Sequence, residues 1–251
     1  RNLRRQSVVH TPPSPSPSRP PAASPDPCPR PAMSRPELSA PPEIFYNAAE
    51  AQKYLTSSRM VKIQTQLTER CIELLALPDK APRFLLDVGC GTGLSGDVLS
   101  EHGHVWVGLD ISRDMLEVGL ARDVEGDLVL ADMGNGGGKS GATNGGGSMF
   151  RAGVFDAVVS VSAIQWLCNA DSSAARAERR LAGFFAGLYA ALRRGGRAAL
   201  QFYPRDPEQC EMLSTAAMRA GFSGGLVVDF PHSTRAKKYY LVLTAGGGGG
   251  G

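Results

Sequence analysis

The sequence has few cysteines and no long apolar run. Its five cysteines are odd in number and widely spaced, and none forms a C-x-x-C pair. This argues against a disulfide framework and against a zinc site within the chain. We therefore predict a reducing intracellular compartment and no metal site. No apolar run reaches the roughly 20 residues that a transmembrane helix needs, so we expect no membrane partner.

Most of the chain also has no large excess of positive or negative charge. The formal net charge is +3, but residues 1–32 contain five arginines and a single acidic residue. The remainder is therefore close to neutral, and bulk charge gives no evidence for or against a nucleic-acid partner.

Composition divides the chain into a folded domain and three low-complexity stretches. Residues 1–32 are proline-rich and almost free of aliphatic side chains, so they cannot bury enough apolar surface to fold, and we predict disorder. Residues 134–148 are mostly Gly, Ser, Asn and Thr and are predicted to be a loop insertion. The glycines at 246–251 predict a flexible tail. The domain itself is expected at 33–245.

Strand and helix patterns alternate along this domain. Strands are predicted at 84–88, 105–109, 128–131, 154–161, 198–203, 226–230 and 239–243. Helices are predicted at 47–76, 94–101, 113–121, 176–193 and 207–220. The last two strands are separated by a turn too short for a crossover helix, so they should pair antiparallel. The pattern indicates an α/β fold with a Rossmann-like, doubly wound, seven-stranded sheet that ends in an antiparallel hairpin.

The strongest local motif is the glycine-rich turn after the first strand, with glycines at Gly89, Gly91 and Gly93. A strand, a glycine turn and a helix in this order form a ligand-binding turn, because glycine lets the backbone approach a ligand. The turn also matches G-x-G-x-x-G, so a dinucleotide is the rival ligand, and a tight turn without ligand is the structural alternative. Asp87 resembles the acidic residue of the first motif of S-adenosylmethionine-dependent methyltransferases, which lies near the methionine end of that cofactor.

Two further carboxylates follow the next two strands. Asp110, with Ile111 beside it, can accept both ribose hydroxyls of either cofactor, or it can cap the next helix. Asp132 and Met133 follow the third strand. In methyltransferases this place supplies an acid to the adenine amino group and an apolar contact to its ring, and the alternative for Asp132 is a solvated turn.

The ends of the fourth and fifth strands face the transferable methyl group in the methyltransferase fold. We assign Ser160 to the cofactor site, and Trp166 and Tyr203 as substrate-binding residues that could stack on a flat base; core packing is the alternative for both aromatic residues. No [DN]-P-P-[YF] motif occurs, which argues against methylation of an adenine or cytosine amino group.

Several longer segments resemble one family. They are EIFYNAAEAQKYLTSSRM, FLLDVGCGTGLSGDVLSEHGHVWVGLDIS, FDAVVSVSAIQWLCNADSS, RRGGRAALQFYPRD and RAGFSGGLVVDFPHSTRAKKYYLVL. Together they are similar to the eukaryotic small-subunit (18S) ribosomal RNA (guanine-N7)-methyltransferase family, over about residues 33–243. The resemblance implies a class I enzyme that uses S-adenosyl-L-methionine and methylates guanine N7 in small-subunit ribosomal RNA, with a role in small-subunit biogenesis in the nucleus (nucleoplasm and nucleolus) and the cytoplasm.

The resemblance also implies a mechanism and a partner. Guanine N7 bears no proton, so no general base is required and we name no catalytic residue. The family uses a small zinc-binding activator protein, and we expect it to pair with the apolar edge strand at 127–131; a partly solvated edge is the alternative. Two other functions stay open: a small-molecule methyltransferase, and a cofactor-binding ribosome assembly factor whose catalysis is dispensable.

Overall fold

The computed structural model describes residues 36–38, 40–78, 81–135, 149–168 and 174–246. The predicted disordered segment 1–32, most of the predicted loop insertion and nearly all of the glycine tail lie outside these residues. The assignments of these stretches and the domain limits at 33 and 245 therefore stay predictions. Within the described part of the chain, no helix is long and apolar enough to cross a bilayer.

A seven-stranded sheet forms the centre of the fold, in the order β3-β2-β1-β4-β5-β7-β6. The strands are β1 (Phe84–Val88), β2 (Val105–Asp110), β3 (Asp127–Leu130), β4 (Phe155–Val161), β5 (Leu192–Phe202), β6 (Phe222–Asp229) and β7 (Lys238–Ala245). β1 to β5 pair parallel, whereas β7 pairs antiparallel with both β5 and β6. The predicted doubly wound sheet and its closing hairpin are confirmed.

Helices cover both faces of the sheet. They are α1 (Pro42–Phe45), α2 (Ala48–Thr56), α3 (Ser58–Leu75), α4 (Leu94–Glu101), α5 (Arg113–Ala121), α6 (Ala174–Ala191) and α7 (Pro207–Arg219). Successive strand residues point to opposite faces. Leu85 accordingly belongs to the buried cluster that contains Cys71 of α3, and Leu86 to the cluster that contains Phe185 of α6.

The topology fixes where a ligand can bind. β1 pairs with β2 on one side and with β4 on the other, so the strand order reverses at β1. In open α/β sheets, ligands bind in the crevice beyond the carboxyl ends of the strands at this reversal. The turns that follow β1, β2, β3 and β4 meet at that edge.

The helix predicted at 47–76 is two helices. Asn47 caps α2, since its side-chain oxygen accepts hydrogen bonds from the backbone N–H of Ala49 (3.1 Å) and Glu50 (3.2 Å). Ser57 then adopts an extended conformation and its hydroxyl accepts from the N–H of Met60 at 3.3 Å. Apolar spacing alone does not reveal this break, because a capping serine can also be accommodated inside a helix.

The helix predicted at 176–193 ends earlier than expected, at Ala191, and β5 begins at the next residue. The glycines that we interpreted as a helix stop lie within β5, where Gly195 has φ of +75°. The pairing with β4 slips at this point, from Phe155 opposite Leu192 to Ala157 opposite Arg197. The glycines therefore mark an irregularity in the strand rather than the end of a helix.

Candidate functional site

A cleft lies beyond the carboxyl ends of β1 to β4, with an empty volume of about 760 Å³ including its open mouth. Of the residues predicted from sequence, the following line it: Gly89, Gly91, Asp110, Ile111, Asp132, Met133 and Trp166. Asp87, Gly93, Ser160 and Tyr203 are not part of the lining.

The first wall of the cleft is the glycine turn. Gly89 has φ of +72°, and its N–H donates to the carbonyl of Leu109 at 2.7 Å. A Cβ at Gly89 would lie 2.2 Å from the Cβ of Ala163, and one at Gly91 would lie 2.8 Å from Cε of Met115. Gly89 therefore needs glycine for conformation and for space, whereas Gly91, whose near neighbour is the flexible end of Met115, needs it for its φ of +55°.

Asp110 fixes this turn to the end of β2. Its Oδ2 accepts from the N–H of Gly91 and its Oδ1 from the N–H of Ser112, each at 2.8 Å. Burial raises the pKa of Asp110, while these N–H donors act to lower it. Two carboxylate oxygens can accept about four hydrogen bonds, so each retains a lone pair for the paired hydroxyls of a ribose. Asp110 thus fixes the residue that begins α5 and also presents its carboxylate to the cleft.

Asp87 lies at the base of the turn, fully buried. Its Oδ2 accepts from the hydroxyl of Ser95 at 2.5 Å, and its Oδ1 has no partner. Burial, together with the nearby charge of Asp110, raises the pKa of Asp87 to about 7. The hydroxyl of Thr92, which lines the cleft, is also buried without a partner. Because Thr92 lines the cleft, its unsatisfied hydroxyl can bond a polar group of a ligand, whereas Asp87, outside the lining, supports the turn from below.

Asp132 is paired with a residue that sequence analysis missed. Its Oδ1 accepts from the N–H of Gly134 at 2.8 Å and from Nη2 of Arg180, on α6, at 2.9 Å. Arg180 also lines the cleft. The carboxylate is therefore held in place and its charge compensated, which excludes the alternative of a freely solvated turn residue.

The turn after β4 contributes Ser162 in place of the predicted Ser160. Ser160 is fully buried and its hydroxyl donates to the carbonyl of Val88 at 2.8 Å, so it links β4 to β1 and does not reach the cleft. Ser162 has φ of +58° and is held by Gln201 of β5, whose Oε1 accepts from its hydroxyl at 2.8 Å and from its N–H at 3.0 Å. A buried glutamine in an apolar strand was the signal in the sequence that could have identified this contact.

Aromatic side chains close the cleft from the N-terminal helices. The ring of Trp166 lies 5.6 Å from that of Tyr46 and 6.0 Å from that of Phe45 between centroids. Tyr54 lines the same space and its hydroxyl accepts from Gln64 at 2.7 Å. Burial raises the pKa of Tyr46 to about 12, so its phenol remains protonated. Neither tyrosine was predicted as a site residue, since Tyr46 lies between α1 and α2 and the sequence pattern does not show that these elements reach the cleft.

Two predicted site residues have structural contacts instead. Gly93 caps α4 with φ of +86°, and a Cβ there would lie 2.8 Å from Cγ1 of Val124. The hydroxyl of Tyr203 is 3.2 Å from Nζ of Lys238, which also lies 5.0 Å from the centre of its ring. Tyr203, which follows β5, thus contacts Lys238 of β7, whereas Trp166 lines the cleft. The role of Tyr203 in substrate binding stays a prediction.

The raised pKa of Asp87 predicts that the unliganded protein becomes less stable as the pH rises. The folded-state pKa of about 7 exceeds the ordinary value of 3.8, so the folded protein holds this proton more tightly than the unfolded chain does. The resulting stabilisation is complete below the ordinary value and is lost as the pH rises through about 7. Asp87→Asn stays neutral, so its free energy of unfolding should fall less over this range in urea titrations.

Asp123→Asn is the matched control, because Asp123 is exposed in a turn and asparagine tolerates its positive φ. Its pH dependence should equal that of the wild type. Equal slopes for the wild type and Asp87→Asn would contradict the assignment.

Known proteins share both sequence and fold with this chain. The family model described as "Methyltransferase domain" matches residues 86–200. The 18S rRNA (guanine-N(7))-methyltransferase of Mus musculus is 56% identical over 207 residues, which are 82% of this chain and 70% of that protein. The enzyme of the same name from Arabidopsis thaliana is 56% identical over 209 residues, 83% of this chain and 68% of that one.

Solved structures agree on the fold. A TehB-like S-adenosylmethionine-dependent methyltransferase from Corynebacterium glutamicum superimposes with a TM-score of 0.54 at 19% identity, over 79% of this chain and all of that one. The family resemblance found in the sequence is therefore confirmed, and with it S-adenosyl-L-methionine as the cofactor, which the residues of the cleft fit. From its sequence relatives and its cleft, this chain belongs to the family of 18S rRNA (guanine-N7)-methyltransferases.

Proposed function

We propose that this protein transfers a methyl group from S-adenosylmethionine to N7 of a guanine in small-subunit ribosomal RNA and acts in small-subunit biogenesis. The observation that carries the proposal is the identity of 56% with two proteins named for this reaction, over more than four fifths of the chain. We further propose that it acts in the nucleus, in nucleoplasm and nucleolus, and in the cytoplasm, in keeping with a substrate in small-subunit ribosomal RNA.

The chemistry of guanine N7 suits the groups in the cleft. N7 carries a lone pair in the plane of the ring and no proton, so the nucleophile needs no deprotonation. The acids that line the described cleft are Asp110 and Asp132, and both are engaged by backbone N–H groups. S-adenosylmethionine, when bound, supplies an electrophilic methyl group. The remaining work is to hold the two reactants in line and to exclude water.

Different residues of the cleft position the cofactor, shape the wall beside the base and exclude water. Asp110 and the glycine turn position the cofactor, and Asp132 supplies a further acceptor. Asp87 supports the turn through its hydrogen bond with Ser95. Ser162, fixed by Gln201, shapes the wall where the base enters. The rings of Tyr46 and Trp166 cover the cleft and keep water from it. In the unliganded fold Trp166 packs on its aromatic neighbours, and we propose that its edge borders the guanine.

We further propose that a small zinc-binding activator protein adds a strand to β3. This strand is at one end of the sheet, and Leu130 is 50% exposed there. The N–H of Ala131 donates to the carbonyl of Asp110, in β2, at 2.9 Å. Successive N–H groups of a strand alternate in direction. The N–H of Val129 therefore points toward β2, as that of Ala131 does. The N–H groups of Leu128 and Leu130 point away from β2, toward the open edge of the sheet. An outward row of donors beside an apolar side chain is suited to strand addition.

The role of Asp110 predicts a loss of cofactor affinity in Asp110→Ala. Removal of paired hydrogen bonds to the ribose should weaken S-adenosylmethionine binding by about 1.5–3 kcal/mol in isothermal titration. Glu117→Ala, which removes an exposed carboxylate from α5, should bind normally. Melting of the unliganded variants separates this effect from a disturbed glycine turn. Binding of NAD with none of S-adenosylmethionine would contradict the assignment of the cleft.

The proposed reaction predicts a mark on ribosomal RNA that depends on this protein. Borohydride and aniline treatment cleaves RNA at N7-methylguanine, and cells that lack the protein should lose one cleavage site in the small-subunit RNA. The wild-type gene should restore the site and Asp110→Ala should restore little of it. A mark that persists without the protein refutes the proposed substrate. If Asp110→Ala restores subunit assembly but not the mark, the protein serves assembly independently of catalysis.

The orientation of β3 predicts how the activator interface responds to substitution. Leu130→Pro removes an outward N–H and should abolish co-purification with the activator. Leu130→Ala keeps the N–H and should only weaken it. Proline at Val129 is a poorer test, because it breaks the pairing with β2. If the chain is soluble and monomeric alone, and Leu130→Pro still co-purifies, the interface lies elsewhere.

A further inference from the structure

The loop between β6 and β7, residues 230–237, lies at the same edge of the sheet as the cleft. β5 runs parallel to β4, so its carboxyl end at Phe202 is at the edge where the cleft opens. β7 is antiparallel and pairs Tyr239 with Phe202, while β6 ends with Asp229 opposite Lys238. The 230–237 loop therefore projects beside the turn that follows β5. None of the described residues that line the cleft belongs to this loop.

Phe230 is held on the surface of this loop. It is 65% exposed, and its φ of +52° is a conformation that costs energy for a residue with a bulky side chain. The loop is internally bonded, because the N–H of Ser233 donates to the carbonyl of Phe230 at 2.9 Å and the N–H of Lys237 donates to the carbonyl of Ser233 at 3.2 Å. Strained residues fixed by their surroundings concentrate at binding sites. An aromatic ring kept in solvent by such a turn is available to stack on a ligand.

The charge around Phe230 is positive. Arg235 and Lys237 form no ion pair with any described residue. The neighbouring acid, Asp229, is bonded through both its oxygens to Arg70 of α3, at 2.9 and 3.1 Å. Lys238 is turned inward onto Tyr203, which ties the end of the loop to β5. The loop thus presents an exposed aromatic ring and two positive charges, and no acidic side chain in the described part of the chain forms an ion pair with either of them.

Helix α3 extends this surface. Lys62 lies eight residues before Arg70, by way of Gln66, and Arg59 lies three residues before Lys62. Residues at spacings of three and four share one helix face. Arg59 and Lys62 are exposed and lack ion pairs with described residues. Since Arg70 on this face binds Asp229, the face leads toward the 230–237 loop. At 1.5 Å of rise per residue, the cations span roughly 16 Å, a few nucleotides of RNA backbone.

We propose that the 230–237 loop is an RNA-binding element: Phe230 stacks on an unpaired base near the target guanine, and Arg235 and Lys237 bind phosphates of the same strand. The inference rests on the proposed function, because it names the surface by which this chain holds that substrate. Stacking on an aromatic face with cations along the backbone is how single-stranded RNA is bound without reading every base. Because the domain is close to neutral overall, a local cluster of cations can supply the phosphate contacts that bulk charge does not.

The test measures binding of the full chain to a fluorescein-labelled single-stranded RNA that contains guanine, by anisotropy at several salt concentrations. Phe230→Ala should weaken binding about five- to hundredfold, as loss of one stacked base does, and Phe230→Trp should retain it. Arg235→Gln with Lys237→Gln should lower the steepness of the salt dependence by about 1.4, or roughly 0.7 for each phosphate on a single strand. In methyl transfer, Phe230→Ala should raise KM for RNA while leaving S-adenosylmethionine binding unchanged.

The controls carry equivalent changes at distant exposed sites. Val105→Ala removes an apolar side chain that is 62% exposed at the opposite edge of the sheet, and Arg151→Gln with Arg219→Gln removes the same charge as the loop pair. These variants should bind RNA as the wild type does. The inference is refuted if Phe230→Ala matches Val105→Ala, or if the wild type binds no RNA. RNA bound through Phe230 without methylation of guanine N7 would refute the proposed reaction and leave the binding surface in place.

Discussion

The carboxylate of Asp110 joins parts of the chain that are far apart in sequence. One oxygen holds the N–H of Gly91 and the other that of Ser112, and the hydroxyl of Ser112 donates to the carbonyl of Tyr46 at 2.7 Å. The glycine turn, the start of α5 and the aromatic cover are thereby fixed to the end of β2. A partly buried carboxylate is costly unless it is satisfied in this way, so the same bonds that stabilise Asp110 also give the cleft its shape.

Features encoded in short stretches of sequence could be predicted. Each strand from β1 to β7 has a local apolar pattern, and the glycine turn requires residues within a few positions of each other. Asp110 and Asp132 follow strand ends, which the parallel topology necessarily brings to one edge. Seven of the predicted cofactor and substrate residues consequently line the cleft. The direction of one side chain was harder to predict, because Ser160 and Ser162 are equally plausible until the strand end is known.

Contacts between segments that are far apart in sequence could not be predicted from such local patterns. Arg180 lies 48 positions from Asp132, and Gln201 lies 39 from Ser162. Arg180 follows other charged residues of α6 and Gln201 lies in an apolar strand, and in neither case does the local sequence single out the partner. Ser57 breaks the predicted 47–76 helix into α2 and α3, and Tyr46, just before α2, lines the cleft. Local propensity is satisfied by one helix or by two, and packing decides between them.

The position of β7 between β5 and β6 also constrains how the protein is made. β6 pairs with β7 along its whole length and has no other strand partner in the described sheet. During synthesis, domains begin to fold from the N-terminal side as they leave the ribosome. β1 to β5 can then assemble before β7 is made, and until that point the backbone groups of β6 remain unpaired. A premature stop codon before position 238 would deprive β5 of a neighbour and expose two strand edges at once. Such a truncated product would be a substrate for chaperones and proteases rather than a weakened enzyme.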